Sequence, residues 1–467
     1  MTHAQRRAVA PRITLAEAAA VGLGLAFIAV SLAAAVWALL VPPVLCLLAL
    51  AVHRWGLAVT VIVLALAGVC LSAAVGRYVP AAMAVNQLAL IGLAAIGAAS
   101  LSRARALPVA LKVPTGIFLA LSAAWSFPSV QASTAYGIRG FLALILPILV
   151  ALAVLGTARR ARTGADVILG VLIAAAAITI AIGLKQAILG LSGTEIAAAR
   201  SGDSTYLVGQ QIRLMGAFRT NQDLAVFLTF FAPAFLVLSV TDHGRRRWLF
   251  ASLSALLYLV AFLSLTRTAL IASVPLGVVG LFVALKGDAA LRAVKTTGIC
   301  AVIAGLSAFV ISRLDIDRVD DAIARVATIF ALGEDTSFNA RLNSTLPRAW
   351  SIFTAQPGGV GAGSAGPISQ QFPTVAPRGV VTPDNGYLVI GIQVGAIGLL
   401  AFGLMLIALV WHLIRSESPL AVAAGVGTAA VMVAMLLAGY WSLGAPIALA
   451  AAFVGLGLGE LTRAGPG

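Results

Sequence analysis

Long apolar runs follow one another from residue 13 to residue 459, and no other feature of the sequence restricts its fold so severely. A helix needs about 20 apolar residues to cross ~30 Å of hydrocarbon, because lipid offers the backbone no hydrogen-bond partners. The runs fall at 13–52, 55–76, 81–101, 109–126, 134–155, 165–190, 220–240, 248–285, 296–312, 384–413 and 419–459. Three of them, 13–52, 248–285 and 419–459, have room for a hairpin with arms of about 18–20 residues, so the expected total is about 12–14 spans. Hydrophobic residues make up 61% of the chain and charged residues 10%, too few charges to cover a soluble protein of 467 residues. The fold predicted is all-α, a polytopic transmembrane bundle. The first run follows Arg6, Arg7 and Arg12 and continues into further apolar sequence without a small-residue cleavage site, so it reads as a retained span.

The net charge of +15 does not describe a nucleic-acid binder, whose arginines would share one soluble face; here they punctuate the apolar runs. With the N-terminus inside, the inner loops and tails hold 18 of the 31 basic residues and 6 of the 16 acidic ones, which leaves about +12 inside and +3 elsewhere. The same arrangement puts His3, His53, His243 and His412 on the inner side. Cys46, Cys70 and Cys300 fall within apolar runs without metal-ligand spacing and are read as small core residues.

The chain divides into transmembrane helices over 1–312, a large outer loop over 313–383 and further transmembrane helices over 384–467. A loop of that length is usually functional or disordered. This one shows order. Ile316, Val319, Ile323, Val326 and Phe330 recur at helical spacing among charged residues, which describes an amphipathic helix lying on the membrane surface or the bundle. A second helix is expected from Thr345, as its cap, to Gln356, with Pro347 in its first turn and Pro357-Gly358-Gly359 ending it. It carries Arg348 and Trp350. The glycines of Gly359-Val360-Gly361-Ala362-Gly363-Ser364 permit either an anion-binding nest of N–H groups or a plain connector.

Thr382-Pro383-Asp384-Asn385 reads as the opening of the next span, with a cap, a proline in the first turn and a carboxylate near the positive end of the helix dipole. Asp384 is either part of that cap or a general base at the membrane surface. Arg267 interrupts an apolar run in Leu263-Ser264-Leu265-Thr266-Arg267, and Arg213 and Arg219 flank Met215-Gly216-Ala217-Phe218 just before another span. Each arginine admits two readings, a side chain snorkelling to the interface or a guanidinium clamp on phosphate. Arg139 and Lys185, within apolar runs near the outer face, are read as snorkelling side chains or secondary phosphate contacts.

Together these motifs resemble the O-antigen ligase and O-antigen polymerase family. The resemblance rests on Arg213-x-x-Gly216-x-Phe218-x-x-Asn221, Ser264-x-Thr266-Arg267, a large loop with Arg341 and Arg348-x-Trp350, Gly359-x-Gly361-x-Gly363, Asp384-Asn385-x-Tyr387-Leu388 and Gly395-x-x-Gly398-Leu399. It covers roughly residues 213–401. It implies a metal-independent glycosyltransferase without cofactor, multi-pass in the bacterial plasma membrane and working on its outer face. Its donor would be a glycan on undecaprenyl diphosphate and its acceptor a second glycan, with membrane lipids around the protein and no nucleic-acid partner. On that resemblance Asp384, Arg267 and Arg213 are the catalytic candidates, the two arginines holding the diphosphate; Arg219, Arg341, Arg348, Asn385, Tyr387, Gly361 and Gly363 are the substrate-binding ones. Ligases of this kind carry a histidine before the asparagine of the late motif, where this chain has Asp384, so a polymerase is favoured. Arg348 and Gly359, with ten residues between them, match a polymerase loop pattern. Two other classes compete: a peptidoglycan glycosyltransferase of the shape, elongation, division and sporulation type, which the glycine-rich and Asp-Asn-x-Tyr motifs fit less well, and a transporter or lipid flippase with Arg267 and Lys185 lining its path.

Overall fold

A computed structural model describes residues 56–75, 81–101, 107–158, 162–202, 207–208, 211–242, 244–284, 323, 339, 341–372, 374, 383–439, 441 and 444–463. The spans expected within 13–52 and at 296–312, the amphipathic helix around Ile316 to Phe330 apart from Ile323, and Thr382 lie outside the described residues.

The apolar runs fold as helices: α1 (Leu57–Val75), α2 (Ala81–Ala99), α3 (Val109–Ala124) with the short α4 (Ser126–Ala132), α5 (Thr134–Ala158), α6 (Arg162–Leu189), α7 (Gly193–Gly202), α8 (Asn221–Thr241), α9 (Arg245–Leu263) and α10 (Arg267–Ala284). After a π-helical turn, Arg341–Thr345, come α11 (Leu346–Ala355), α12 (Pro367–Gln371), α13 (Gly386–Ile414), α14 (Pro419–Ala434) and α15 (Gly444–Arg463). Among the described residues nine helices are long and apolar enough to span a membrane, and two shorter apolar ones accompany them. The chain is an all-α, multi-pass membrane protein. A two-residue antiparallel ladder, Leu207–Val208 against Gln211–Ile212, is the one strand pairing among the described residues.

Two of the long runs resolve into the hairpins their length implies, α9–α10 and α14–α15. The first hairpin turns at Leu265, which has φ 59° although it is a leucine and almost fully buried. A non-glycine residue in this left-handed region is strained. The Ser264 hydroxyl donates to Ala261 O at 2.8 Å and accepts the Thr266 N–H at 3.3 Å, holding the turn.

Helix α8 is the axis of the bundle, with 94% of its spanning window buried among α9, α10, α14 and α15. Lipid gives no hydrophobic reward for bringing helices together, so close packing must do it. Phe227, Phe231 and Phe235 rise along one face of α8 at centroid spacings of 4.4 and 5.6 Å, and Phe453 of α15 meets Phe231 edge-on at 5.8 Å. On α15, a Cβ at Gly455 would come within 2.5 Å of Ala151 O, and one at Gly459 within 2.7 Å of Ala158 Cβ. These small residues four apart let α15 lie directly on α5.

Consecutive spanning helices alternate in direction, so the bundle has two distinct ends. Arg245, Arg246, Arg247, Arg415 and Arg463 cluster at one. The other gathers the 190–220 segment, the Leu265 turn, residues 341–372 and the start of α13. At that end α13 is broken: Gly395 has φ 75° and ψ −179°. Ile392 O and Gln393 O, released by the break, accept the N–H groups of Val360 (2.7 Å) and Gly361 (3.1 Å), and the Ala396 N–H donates to Pro357 O at 2.8 Å. Irregular backbone at membrane depth survives only where protein satisfies it, and the glycine-rich segment supplies that here. Below the break, residues 396–414 rise about 28 Å, enough to span. Their exposed Ile397, Leu400, Leu404, Ile407 and Trp411 form a lipid-facing stripe at steps of three and four.

Gly395→Ala places a Cβ 2.3 Å from Gly358 O at a backbone geometry open only to glycine, whereas Gly403, in the same helix, has open space around it. Gly395→Ala is expected to lower the thermal stability of the purified protein by several degrees, at a cost of about 1–3 kcal/mol, with Gly403→Ala at or above wild type; melting curves in detergent read both.

Candidate functional site

The segment before α8 carries Arg213, half-buried, and Arg219, exposed. Gly216 turns the chain at φ 55°, and the Phe218 N–H returns to Met215 O at 3.0 Å. Phe218 then packs on Phe227 at 5.2 Å, and the Thr220 hydroxyl caps α8 by accepting the Asp223 N–H at 3.1 Å. The last turns of α6 hold this segment in place. Gln186, fully buried, accepts the N–H groups of both Met215 and Gly216 at 3.0 Å through Oε1. Its Nε2 donates to Glu195 Oε1 at 2.9 Å. Glu195, on α7 and fully buried, also receives Lys185 Nζ and the Ser192 N–H, both at 2.7 Å. Burial pushes this carboxyl up, but the hydrogen bonds from Lys185, Gln186 and Ser192 outweigh it and hold the group down at about 2. Lys185 is thus an ion-pair partner and not a snorkelling side chain. Sequence reasoning missed Gln186 and Glu195 altogether; the only hint was an acidic residue ten positions from a lysine within an apolar stretch.

Arg267 is the first residue of α10, immediately after the strained Leu265 turn, and is partly buried. Helices α8 and α10 run parallel and pack together: a Cβ at Gly277 would meet Pro233 and Leu236, and one at Gly280 would meet Val237. Two helix N-termini therefore stand side by side, Arg219 preceding one and Arg267 opening the other. Converging positive helix ends and guanidinium groups favour an anion.

The second half of the site corrects two expected caps. Thr345 does not cap α11: its backbone is helical, it makes no side-chain cap bond, and the π-helical turn runs through it into α11. Pro347 does occupy the first turn, and Pro357-Gly358 follows the last. Nor does Asp384 open α13. Asn385 is the cap, accepting the Leu388 N–H at 2.9 Å, and Pro383 lies outside the helix. Asp384 instead pairs with Arg341, Nε to Oδ2 at 2.8 Å, both side chains about one-third exposed. Asn385 and Tyr387 are drawn into the scaffold as well: Asn385 Nδ2 donates to Leu436 O at 3.0 Å, and the Tyr387 hydroxyl to Met432 O at 2.9 Å. Arg348 and Trp350 are exposed on α11.

Instead of presenting an anion nest, the glycine-rich segment turns its N–H groups inward. Ala362 N–H donates to Trp125 O at 2.8 Å, and Gly363 N–H to the side-chain Oε1 of the buried Gln393 at 2.7 Å. The Ser129 hydroxyl closes on Ala362 O at 2.7 Å. Gly361 and Gly363 act here through close packing, with Gly140 of α5 pressed against the Ala362 carbonyl. Arg139 is not simply snorkelling either; it reaches Gln371 Oε1 at 3.4 Å and lies over the Phe372 ring.

Beside this end, an apolar cavity of about 90 Å³ descends between α3, α5, α8, α13, α14 and α15. Met432, Met435 and Trp441 line its upper part, and the first two hold Tyr387 and Gly386 through their carbonyls. Buried polar groups that find no hydrogen-bond partner among the described residues include the Tyr136 hydroxyl, the Ser364 hydroxyl and the Asn221 side-chain amide at the start of α8. Among the described residues no cluster of three His, Cys, Asp or Glu side chains could hold a metal ion.

Residues 249–403, about a third of the chain, match the family model described as O-antigen ligase. No curated protein matches the chain. The matched stretch contains the Leu265 turn, Arg267, the 341–372 segment, Asp384 and the break in α13; Arg213 and its supports on α6 and α7 precede it.

Because the Glu195 carboxyl is held below its ordinary value near 4.5, its network contributes stability that is fully present above that value and is lost as pH falls towards about 2. The difference in melting temperature between wild type and Glu195→Gln should be constant from pH 8 to 5 and shrink progressively below pH 4.5.

Proposed function

We propose that this membrane protein, with its O-antigen ligase-family domain, is a glycosyltransferase that moves a glycan from undecaprenyl diphosphate to an acceptor glycan on the outer face of the bacterial plasma membrane. The observation that carries the reading is the placement, at the same end of a lipid-facing bundle, of an anion-favouring pair of helix N-termini and the Arg341–Asp384 ion pair. A lipid diphosphate needs both halves of such a site: apolar space for its tail and cationic donors for its charge. The lipid-facing stripe of α13, with the small apolar cavity under Tyr387, suits the first, and Arg213, Arg219 and Arg267 suit the second.

In the proposed reaction the acceptor hydroxyl oxygen attacks the anomeric carbon of the donor glycan, and the bond from that carbon to the diphosphate oxygen breaks. The electron pair leaves with the diphosphate, whose growing charge Arg213 and Arg267 stabilise. The acceptor proton passes to Asp384. Arg341 engages Oδ2 and orients the carboxylate, leaving Oδ1 to face the acceptor. Asp384 in place of the histidine expected of a ligase favours a polymerase, whose acceptor is another lipid-linked repeat. Arg348 and Trp350, exposed on α11 nearby, are candidate contacts for that glycan.

Since Asn385 and not Asp384 caps α13, Asp384→Asn leaves the cap intact and removes only a partly exposed ion pair, worth about 0–1 kcal/mol. Asp384→Asn is expected to melt within a few degrees of wild type yet transfer glycan at least about 100-fold more slowly; wild-type transfer would reject Asp384 as the base. Arg267→Lys keeps the charge but loses the fork of donors, and should fall on the order of 100-fold as well. Orientation is read by single cysteines in a background without the three native ones: Ser351→Cys should react with an impermeant thiol reagent in intact cells and Arg246→Cys only after permeabilisation. The reverse pattern would put the site on the inner face.

A further inference from the structure

We infer that Glu195, acting through Gln186, is a positioning residue that fixes the backbone carrying Arg213; the inference rests on the proposed role of Arg213 at the donor diphosphate. Gln186 is fully buried and all four of its amide positions are used: Oε1 accepts from Met215 and Gly216 at 3.0 Å, and Nε2 donates to Glu195 Oε1 at 2.9 Å and to Gly216 O at 3.4 Å. An amide can be turned over in its site, exchanging donor for acceptor. Turned over here, it would aim N–H groups at the N–H groups of Met215 and Gly216. What forbids this from the far side is Glu195, since an ionised carboxylate is an acceptor only and demands the nitrogen.

Glu195 is in turn kept ionised by Lys185 and the Ser192 N–H. It is no candidate for the proton chemistry, because both carboxylate oxygens are bonded and none of its surface is exposed. Its effect is orientational: carboxylate sets amide, and amide clamps the turn at Gly216, three residues from Arg213 and three from Arg219. A shift of about 1 Å in a group that meets developing charge can cost on the order of 100-fold in rate, so the clamp bears on transfer without touching substrate.

The donor–acceptor logic yields a swap that a purely space-filling role would not predict. Glu195→Gln alone turns an N–H group on the Gln186 nitrogen or on its Lys185 and Ser192 donors, and Gln186→Glu alone brings two carboxylates together. Each is expected to lower the turnover rate of the full-length protein in nanodiscs at least about tenfold, with a lipid-diphosphate-linked glycan as donor. The double exchange, Gln186→Glu with Glu195→Gln, restores one acceptor for Met215 and Gly216 and one donor between the two side chains, gives up only the long 3.4 Å bond to Gly216 O, and should return to within about threefold of wild type. A double exchange as slow as the single variants, or one that fails to fold when they fail, overturns the inference.

A second readout ties the clamp to Arg213. Glu195→Gln should add little to the loss caused by Arg213→Lys but multiply in full with Asp384→Asn, on the other half of the site. Full multiplication with Arg213→Lys overturns the positioning role. If Arg213→Lys alone transfers at the wild-type rate, Arg213 is not the donor contact, and the swap still decides whether Glu195 sets the amide.

Discussion

Lipid cannot hydrogen-bond a broken helix, and the organisation of the site depends on how that constraint is met at Gly395. Helix α13 gives up its regular bonds there, and the glycine-rich segment takes them over through Pro357, Val360 and Gly361. The arrangement is reciprocal. The segment has no regular structure of its own, and without the released carbonyls of Ile392 and Gln393 its N–H groups would be buried and unpaired. This mutual satisfaction brings the 341–372 region down onto the bundle and sets Arg341 against Asp384.

A second constraint of the same kind governs the other half of the site. The chain between α6 and α8 passes through Gly216 in a left-handed conformation, where the N–H groups of two successive residues point the same way. One buried glutamine receives both. In each half, then, a glutamine side chain inside the bundle pins a glycine-bearing segment: Gln186 holds Gly216, and Gln393 holds Gly363. Helical spans supply the rigidity, and the irregular segments carry the polar side chains.

The contrast between the two ends of the bundle follows from electrostatics. Arginines that decorate the far end, such as Arg245, Arg246 and Arg247, are exposed and stand at the N-terminus of α9, where a cation opposes the helix dipole. Their placement serves topology. Arg267 also opens a helix, but beside the parallel start of α8 and behind a strained, buried leucine turn. The surrounding fold holds these unfavourable features in place.

The helices and the hairpins at 248–285 and 419–459 were legible in the sequence because apolar length alone decides what can cross a bilayer. Arg267 was legible for the same reason, as a charge where charge is expensive, and Asp384 by its place in the motif that opens a span. Partnership was not. That Lys185 meets Glu195 and that Asn385 and not Asp384 caps α13 depend on local backbone angles, and that the glycines of 359–363 face Gln393 and Trp125 depends on which segments meet across tens or hundreds of residues. A hydropathy pattern carries one number per position and no direction, whereas a hydrogen bond needs a donor, an acceptor and an angle, and only the packed bundle specifies all three.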